Sequence, residues 1–418
     1  MSRTARITVV LLFVAWTIDF IDRLVINFAL PAIADDLDLD HTGTGMIVSA
    51  FFLAYAAMQL PGGLLADRFG ALRMCVIGML AWSVFTGLTA LAWSFGALLV
   101  ARFVFGLVQG VFPAAATKAL AERSTPAERT TAAGWTNASN ACGVLLAAVI
   151  AAAMLPSIGW RGMFVAISAL GVLVVLAWSR WMPPPLTEAA PVGGGSWSLF
   201  RVPALIGCAA IYFGYGAFNW GLVSWVPTYL HEARGVELDR AALLAVFPTV
   251  AAAVGIVSGG WLSDRLRGRP RRIVVPSMVI AAAGLFVLPA TSSVPVFMVV
   301  LTVATGIGAL TYMAALALPL RALPSTLIGT AAGMIVFGAQ LGGILSPLLF
   351  GAIVDRVSYG AAFAALAFGP LVAIVAAALM PQSAAAFLAS VRGKPALAAH
   401  LGETAPSIPQ DRDPAADR

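Results

Sequence analysis

Apolar runs of about 20 residues return along nearly the whole of this 418-residue chain. Each run, wound as a helix, reaches across a hydrocarbon core ~30 Å thick. A membrane β-barrel would instead show alternating segments of about ten residues, and the sequence has none. A soluble chain of this length would make about three domains, but the recurring runs override that expectation. Only 11% of the residues are charged and 60% are hydrophobic, whereas a soluble domain carries roughly 25% charged residues. Most side chains of this protein are therefore built never to meet water.

The formal charge of +6 does not point to nucleic acid, because the basic residues gather in alternate loops. One set holds Arg68, Arg73, Arg123, Arg129, Arg201, Arg265, Arg267, Arg269, Arg271, Arg272 and Arg321; the opposite set holds only Arg161, Arg234, Arg240 and Arg356. Positive charge marks the cytoplasmic side. The first set, with Arg3 and Arg6, is thus expected in the cytoplasm, and an even number of helices brings both termini there. The expected location is a bacterial inner membrane. The first apolar run is too long for a cleaved signal peptide, and Asp19, Asp22 and Arg23 interrupt it.

Twelve transmembrane helices are expected, at 8–31, 43–66, 73–93, 96–120, 131–155, 161–182, 203–230, 241–264, 273–290, 294–320, 326–354 and 360–382. The fold class is an all-α membrane protein in two six-helix halves, 1–182 and 203–382. A cytoplasmic linker, 183–202, contains Pro183, Pro184, Pro185, Pro191 and Gly193 to Gly195. Trp197 and Phe200 beside Arg201 are expected to rest at the membrane interface. The polar tail, 383–418, is expected to be disordered. The halves share a signature: Gly62-Gly63-Leu64-Leu65-Ala66-Asp67-Arg68 follows the second helix, and Gly259-Gly260-Trp261-Leu262-Ser263-Asp264-Arg265 follows the eighth. Such repeats place a solute site near the midplane, with access alternating as the halves rock.

The stretch from Gly63 to Gly70, with Arg73 just beyond, resembles the loop signature of the major facilitator superfamily. Arg102-Phe103-Val104-Phe105-Gly106-Leu107-Val108-Gln109-Gly110 resembles that superfamily's fourth-helix motif. A narrower resemblance is to the anion:cation symporters, which include sugar-acid carriers. It rests on Ile21-Asp22-Arg23, Gln59-Leu60-Pro61-Gly62-Gly63 and Trp225-Val226-Pro227-Thr228-Tyr229-Leu230. The resemblance implies a conformational switch at Gly63, Asp67, Arg68, Gly70 and Arg73, with a second copy at Gly260, Asp264 and Arg265. Independently of any family, glycines let helices approach closely, and the charges suit helix termini; a purely orienting role for the arginines is the plainer reading.

Few ionisable residues remain at membrane depth: Asp19, Asp22 and Arg23 in helix one, and Arg102 in helix four. Each costs ~2.5–3.5 kcal/mol at the bilayer centre, against about −0.3 to −0.6 for each Leu, Ile, Phe or Val. For helix one the charges, roughly +9 kcal/mol, outweigh its apolar residues, roughly −7 kcal/mol. That helix cannot lie alone in lipid; its charges face a wet cavity or one another. Asp19 and Arg23, four residues apart, share a face and can simply pair. Arg23 and Arg102 are permanent cations suited to a carboxylate, whereas Asp22 can change charge. The resemblance implies that Asp22 is a proton site and that both arginines bind the substrate anion; Asp19 is a second candidate proton site. Phe20, Tyr55 and Gln109 are further candidates for the substrate site.

Three departures from the sugar-acid pattern stand out. Gln109 occupies a position where the family commonly has glutamate, Phe20 one where it often has tyrosine, and Asp19 one where it often has asparagine. The Asp19/Asp22 spacing also resembles the aromatic acid:proton symporters, although Arg23 and the Gln59–Gly63 stretch favour the first family. A less hydroxylated carboxylate is therefore plausible. Tyr212, Tyr215, Asn219, Tyr312 and Gln340 offer neutral polar groups from the second half, for a substrate's far end or for helix–helix hydrogen bonds.

The expected function is proton-coupled uptake of a small organic anion by a monomer. Efflux, or a carrier-like receptor that binds solute without transport, are the alternatives. No cofactor is expected and no phosphate-binding loop is present; Lys118 and Lys394 lack that context. His41, His231 and His400 read as loop or tail residues without metal spacing or a catalytic partner. Cys75, Cys142 and Cys208 read as small core hydrophobes. Asn137-Ala138-Ser139 matches a glycosylation sequon but falls inside an expected membrane helix. No enzyme chemistry is expected.

Overall fold

The computed structural model describes residues 1–186, 199, 201–266, 269–323 and 325–392. Outside these lie the linker residues Pro191, Gly193 to Gly195, Trp197 and Phe200, the loop residue Arg267, and Lys394 and His400 of the tail; the side chains of Asp67, Arg129, Asn137 and Arg321 lie outside them too.

The described residues form helices and no strand. The chain opens with α1 (Arg3–Leu37), α2 (His41–Phe69) and α3 (Ala71–Ala90). Next come α4 (Phe95–Gly110) and α5 (Phe112–Glu122), one span broken at Val111. α6 (Pro126–Trp181) is bent at Gly159, whose φ of 67° is not helical. There follow α7 (Pro203–Glu232), then α8 (Leu238–Leu244) running into α9 (Val246–Arg265), and α10 (Arg271–Val287). α11 (Val294–Gly308) and α12 (Leu310–Ala322) form a second broken span. α13 (Ser325–Arg356), α14 (Tyr359–Ala365) and α15 (Phe368–Leu379) complete the bundle. Among the described residues, ten segments are long and apolar enough to cross a membrane by length and composition; one of them, Ala138–Trp181, contains the Gly159 bend, and α1 adds a further 35-residue helix.

Buried apolar side chains fall into two clusters. One runs from Val9 to Trp178 and takes in Ala242; the other runs from Leu199 to Val391. Large apolar side chains such as Leu64, Val257 and Leu379 point outward, as they do where lipid rather than water covers the surface. Cys75 and Cys208 are buried, but Cys142 faces outward rather than into the core. The start of the expected tail also differs. Ala384–Arg392 forms a further helix, α16, because Phe387, Leu388 and Val391 recur at helical spacing and are buried.

The loop signature has a structural counterpart in each cluster. A side chain at Gly62 would meet the Val111 backbone at 2.8 Å, where α4 breaks into α5; one at Gly259 would collide with the backbone of Leu310, where α11 breaks into α12. In each glycine pair the first member makes the close approach. Gly63 and Gly260 stand farther off, 3.8 Å from Ala114 and 3.7 Å from Met313.

α2 and α13 pack tightly toward the end of the bundle where α1 gives way to α2, here the far end. A Cβ at Gly45 would collide with the carbonyl of Pro347, and one at Gly351 with that of His41. The seam is backbone against backbone and has no room for a methyl group.

Gly351→Ala is therefore expected to force α2 and α13 apart. With the exposed Cys142 replaced by Ser, a cysteine at Thr228, 3% exposed near this seam, should react several-fold faster with a water-soluble maleimide once the alanine is present. Equal rates would show that the seam has slack.

Candidate functional site

Asp19, Asp22, Arg23 and Arg102 are all buried. One turn of α1 separates Asp19 from Arg23, and Arg23 Nη2 donates to Asp19 Oδ2 at 2.8 Å. Arg23 Nε donates to Gln109 Oε1 at 3.3 Å, and Gln109 Nε2 donates to the Asp19 carbonyl at 3.1 Å. The glutamine thus ties α4 to α1 through both faces of its amide. Rings enclose the guanidinium: its centre lies 4.5 Å from Tyr55, 5.2 Å from Phe20 and 5.6 Å from Phe51. A desolvated cation gains from ring faces at these distances.

Asp22 turns toward α3, where Thr86 Oγ1 donates to its Oδ1 at 2.9 Å; its other oxygen, Oδ2, is buried without a partner. One turn along α3, Thr89 Oγ1 accepts from Arg102 Nη2 at 2.7 Å. Arg102 Nε has no partner, and its guanidinium lies 4.6 Å from the Phe105 ring and 5.2 Å from Phe164. Two threonines spaced by three therefore hold an acid from α1 and an arginine from α4. Neither arginine is saturated by acid: Arg102 hydrogen-bonds a neutral hydroxyl with Asp22 near enough to interact electrostatically, and Arg23 shares one carboxylate.

Both arginines line one small cavity between α1, α2 and α4, together with Asn27, Phe51 and Phe52. It has room for the centre of a water molecule over about 10 Å³, enough for about one water. Asn27 is 4% exposed and its Oδ1 has no partner. The far wall is closed by α7 and α13: the Phe52 ring stands 4.9 Å from Trp220, and a Cβ at Gly343 would press on it at 2.9 Å.

The remaining expected residues divide. Tyr312 joins an aromatic group with Tyr212 and Tyr215, at centroid distances of 4.9 Å and 5.8 Å. It is near enough to Tyr55 for the two phenols to interact electrostatically. Gln340 is buried with Oε1 unpartnered. Asn219 is half-buried on α7, one residue before Trp220. None of these three touches the arginines directly among the described contacts. Of the switch residues, Gly70 has φ 88° between α2 and α3. Arg68 lies over its neighbour Phe69 at 5.3 Å, and Arg265 over Trp261 at 3.8 Å. Arg73 and Asp264 are exposed. Thr86, Thr89 and Asn27 went unread in the sequence. The one available signal was a pair of threonines three apart in an otherwise apolar helix.

A small cavity lined by two buried arginines, with two carboxylates buried beside them in an all-helical membrane bundle, is an arrangement suited to a solute carrier. The sequence pattern described as the Major Facilitator Superfamily matches residues 11–274 and 238–403. The hexuronate transporter of Bacillus subtilis is 27% identical over 82% of this chain and 86% of its own. The probable sulfoacetate transporter SauU of Cupriavidus necator is 32% identical over 80% of this chain and 83% of its own. Among solved structures, a bacterial homologue of the human lysosomal transporter Spinster, in an inward-facing and occupied conformation, superposes with a TM-score of 0.74. It is 19% identical and covers 94% of this chain and 98% of that one. The chain belongs to the Major Facilitator Superfamily, and it is a multi-pass secondary transporter, not an enzyme.

The geometry generates a binding prediction. Arg102 lines the cavity, and Lys cannot reproduce the planar, many-donor guanidinium. Arg102→Lys is expected to weaken organic-anion binding, measured by calorimetry on purified protein, by at least about tenfold, ~1.4 kcal/mol. Unchanged affinity would leave Arg102 a packing residue.

Proposed function

We propose that this chain takes up a small organic carboxylate together with a proton, acting as a monomer in a bacterial inner membrane. The reading rests on one observation: Arg23 and Arg102 line the same buried cavity, while Asp19 and Asp22 beside them each keep a buried oxygen without a hydrogen-bond partner. A carboxylate can be held by the arginine forks, and an unpartnered buried acid oxygen favours carrying a proton. Anion and proton thus enter one electrostatic unit in which each offsets the charge of the other. The names of relatives, carriers of hexuronate and probably sulfoacetate, agree with an organic anion as cargo.

The loop arginines support both termini in the cytoplasm, so the far end faces the periplasm. Its tight seam then corresponds to a state closed to the outside. Alternating access follows if the N-terminal half, 1–182, and the C-terminal half, 203–382, rock about the site between them, with Gly62 and Gly259 as matching pivots. The charge pair of Asp19 with Arg23 supports a structural role for Asp19, leaving Asp22 as the proton carrier.

Asp22→Asn is expected to abolish uphill, proton-driven uptake into vesicles while leaving counterflow exchange in part. Uphill uptake by the variant would remove Asp22 from the coupling.

Stoichiometry gives a second check. A monovalent anion entering a negative interior works against ~2.3 kcal/mol per 100 mV, and one accompanying proton cancels its charge. Uptake of a monocarboxylate into proteoliposomes should follow ΔpH and barely respond to a valinomycin potential. Accumulation driven by potential at zero ΔpH, lost in Asp19→Asn, would instead give Asp19 a second proton.

A further inference from the structure

At the far end, His41 sits among acids carried by two other helices. Its Nδ1 lies 2.7 Å from Asp355 Oδ1 on α13, and its Nε2 lies 2.8 Å from Glu232 Oε2 on α7. An ionised carboxylate only accepts hydrogen bonds, and a neutral imidazole has a single N–H. With a neutral ring and two ionised acids, one of these short contacts would set lone pair against lone pair. The doubly protonated ring satisfies both, and a proton on either acid would serve the same balance. The arrangement therefore holds one proton more than the three groups would carry when separated in neutral water.

Further bonds at this point tie α2 to the later helices and the later helices to one another. Asp355 accepts from the backbone N–H of His41 at 3.1 Å, and from the N–H and hydroxyl of Thr42. Tyr359 of α14 donates its hydroxyl to Glu232, and its oxygen stands 3.1 Å from His41 Nε2. The remaining nearby charges do not replace the histidine. Asp40 is engaged in capping Gly43 N–H at 2.7 Å, and Asp35 and Asp38 line the adjoining cavity from the end of α1. His231 is turned to the Val236 carbonyl at 3.0 Å. Arg234 donates to the Tyr229 hydroxyl at 2.7 Å. Arg356 is exposed next to Asp355. His41 keeps 29% of its side-chain surface open, so solvent protons reach it, whereas Asp22 is fully buried.

We propose that His41, Asp355, Glu232 and Tyr359 form a proton-operated latch: the far end closes on a proton held at His41, and acid on that side keeps it shut. When α2 parts from α7 and α13, the ring loses both acids and reverts to an ordinary histidine, with a value of ~6.5. The closed form binds the proton more tightly than the open form, so proton binding and closure favour each other by the same factor. The added closure is complete below the open-state value and is lost as pH rises through the closed-state value. This device needs only that the far end opens; it does not depend on a proton travelling with the solute.

The test places spin labels on cysteines at Trp93 and Val357, exposed far-end positions (81% and 70%), with Cys142 replaced by Ser. Distances are read by pulsed electron resonance in nanodiscs without solute, at about pH 5.5 and about pH 8.5, either side of the ordinary histidine value of ~6.5. The short-distance population is expected to fall by about threefold or more on raising the pH. His41→Gln should populate the long distance at both pH values, and His41→Arg, a permanent two-donor cation, should stay closed at both. Repeating the series with Asp22→Asn separates the latch from the cargo site: the pH response should persist there. A response that survives unchanged in His41→Gln, or that vanishes with Asp22→Asn alone, overturns the latch. Failure of the symport reading would leave these distances unaffected.

Discussion

The cost of holding charge where there is no water governs this molecule. Burying an ion costs several kcal/mol even after the protein relaxes around it, and α1 carries Asp19, Asp22 and Arg23 in one short stretch. That helix is stable only because its neighbours answer each charge. α2 supplies the Tyr55 and Phe51 rings, α3 supplies Thr86, and α4 supplies Gln109. Removing one member of such a buried set strands the others, a loss of ~3–5 kcal/mol for a true pair. The positions of three helices around α1 are thereby linked to the chemistry of the site, and packing and binding cannot be altered independently.

The answering groups are unequal, and the inequality separates the roles of two acids that look alike in sequence. Asp19 has a cation at 2.8 Å. Asp22 has one hydroxyl bond and only the more distant charge of Arg102, and each acid leaves one oxygen without a hydrogen-bond partner. Gln109 bonds to Arg23 without contributing charge, so it keeps that arginine oriented while leaving its positive charge available. A carboxylate in that place would compete with an incoming anion.

Much of this was legible in the sequence because membrane insertion is a severe filter. Charges at depth stand out against runs of Leu, Val and Ala, so Asp22, Arg23 and Arg102 could be picked out from residue type alone, and the repeated Gly-Gly…Asp-Arg signature marked two related halves. What stayed hidden depends on partners distant in sequence. Thr86 and Thr89 are ordinary residues of an apolar helix until α1 and α4 arrive beside them. His41 read as an isolated loop histidine, yet it is the first residue of α2, and the acids it meets lie 191 and 314 positions later. The second glycine of each pair drew attention as a motif member, whereas contact falls on the first, because helix phase rather than composition decides which face meets the neighbour.

The breaks at Val111 and Ala309 divide labour along a single span. Arg102 and Gln109 ride on the piece before the first break, and Gly62 meets the joint itself at Val111. The following piece, α5, carries Lys118, which reaches back to the Ala66 carbonyl at 3.2 Å. Val111 itself keeps helical angles, φ −74° and ψ −33°, and its N–H bonds back three residues to the Val108 carbonyl, so the joint is a tightened turn and not a gap. Pressed there by Gly62, the span holds Arg102 and Gln109 in register much as a peg sets the pitch of a string.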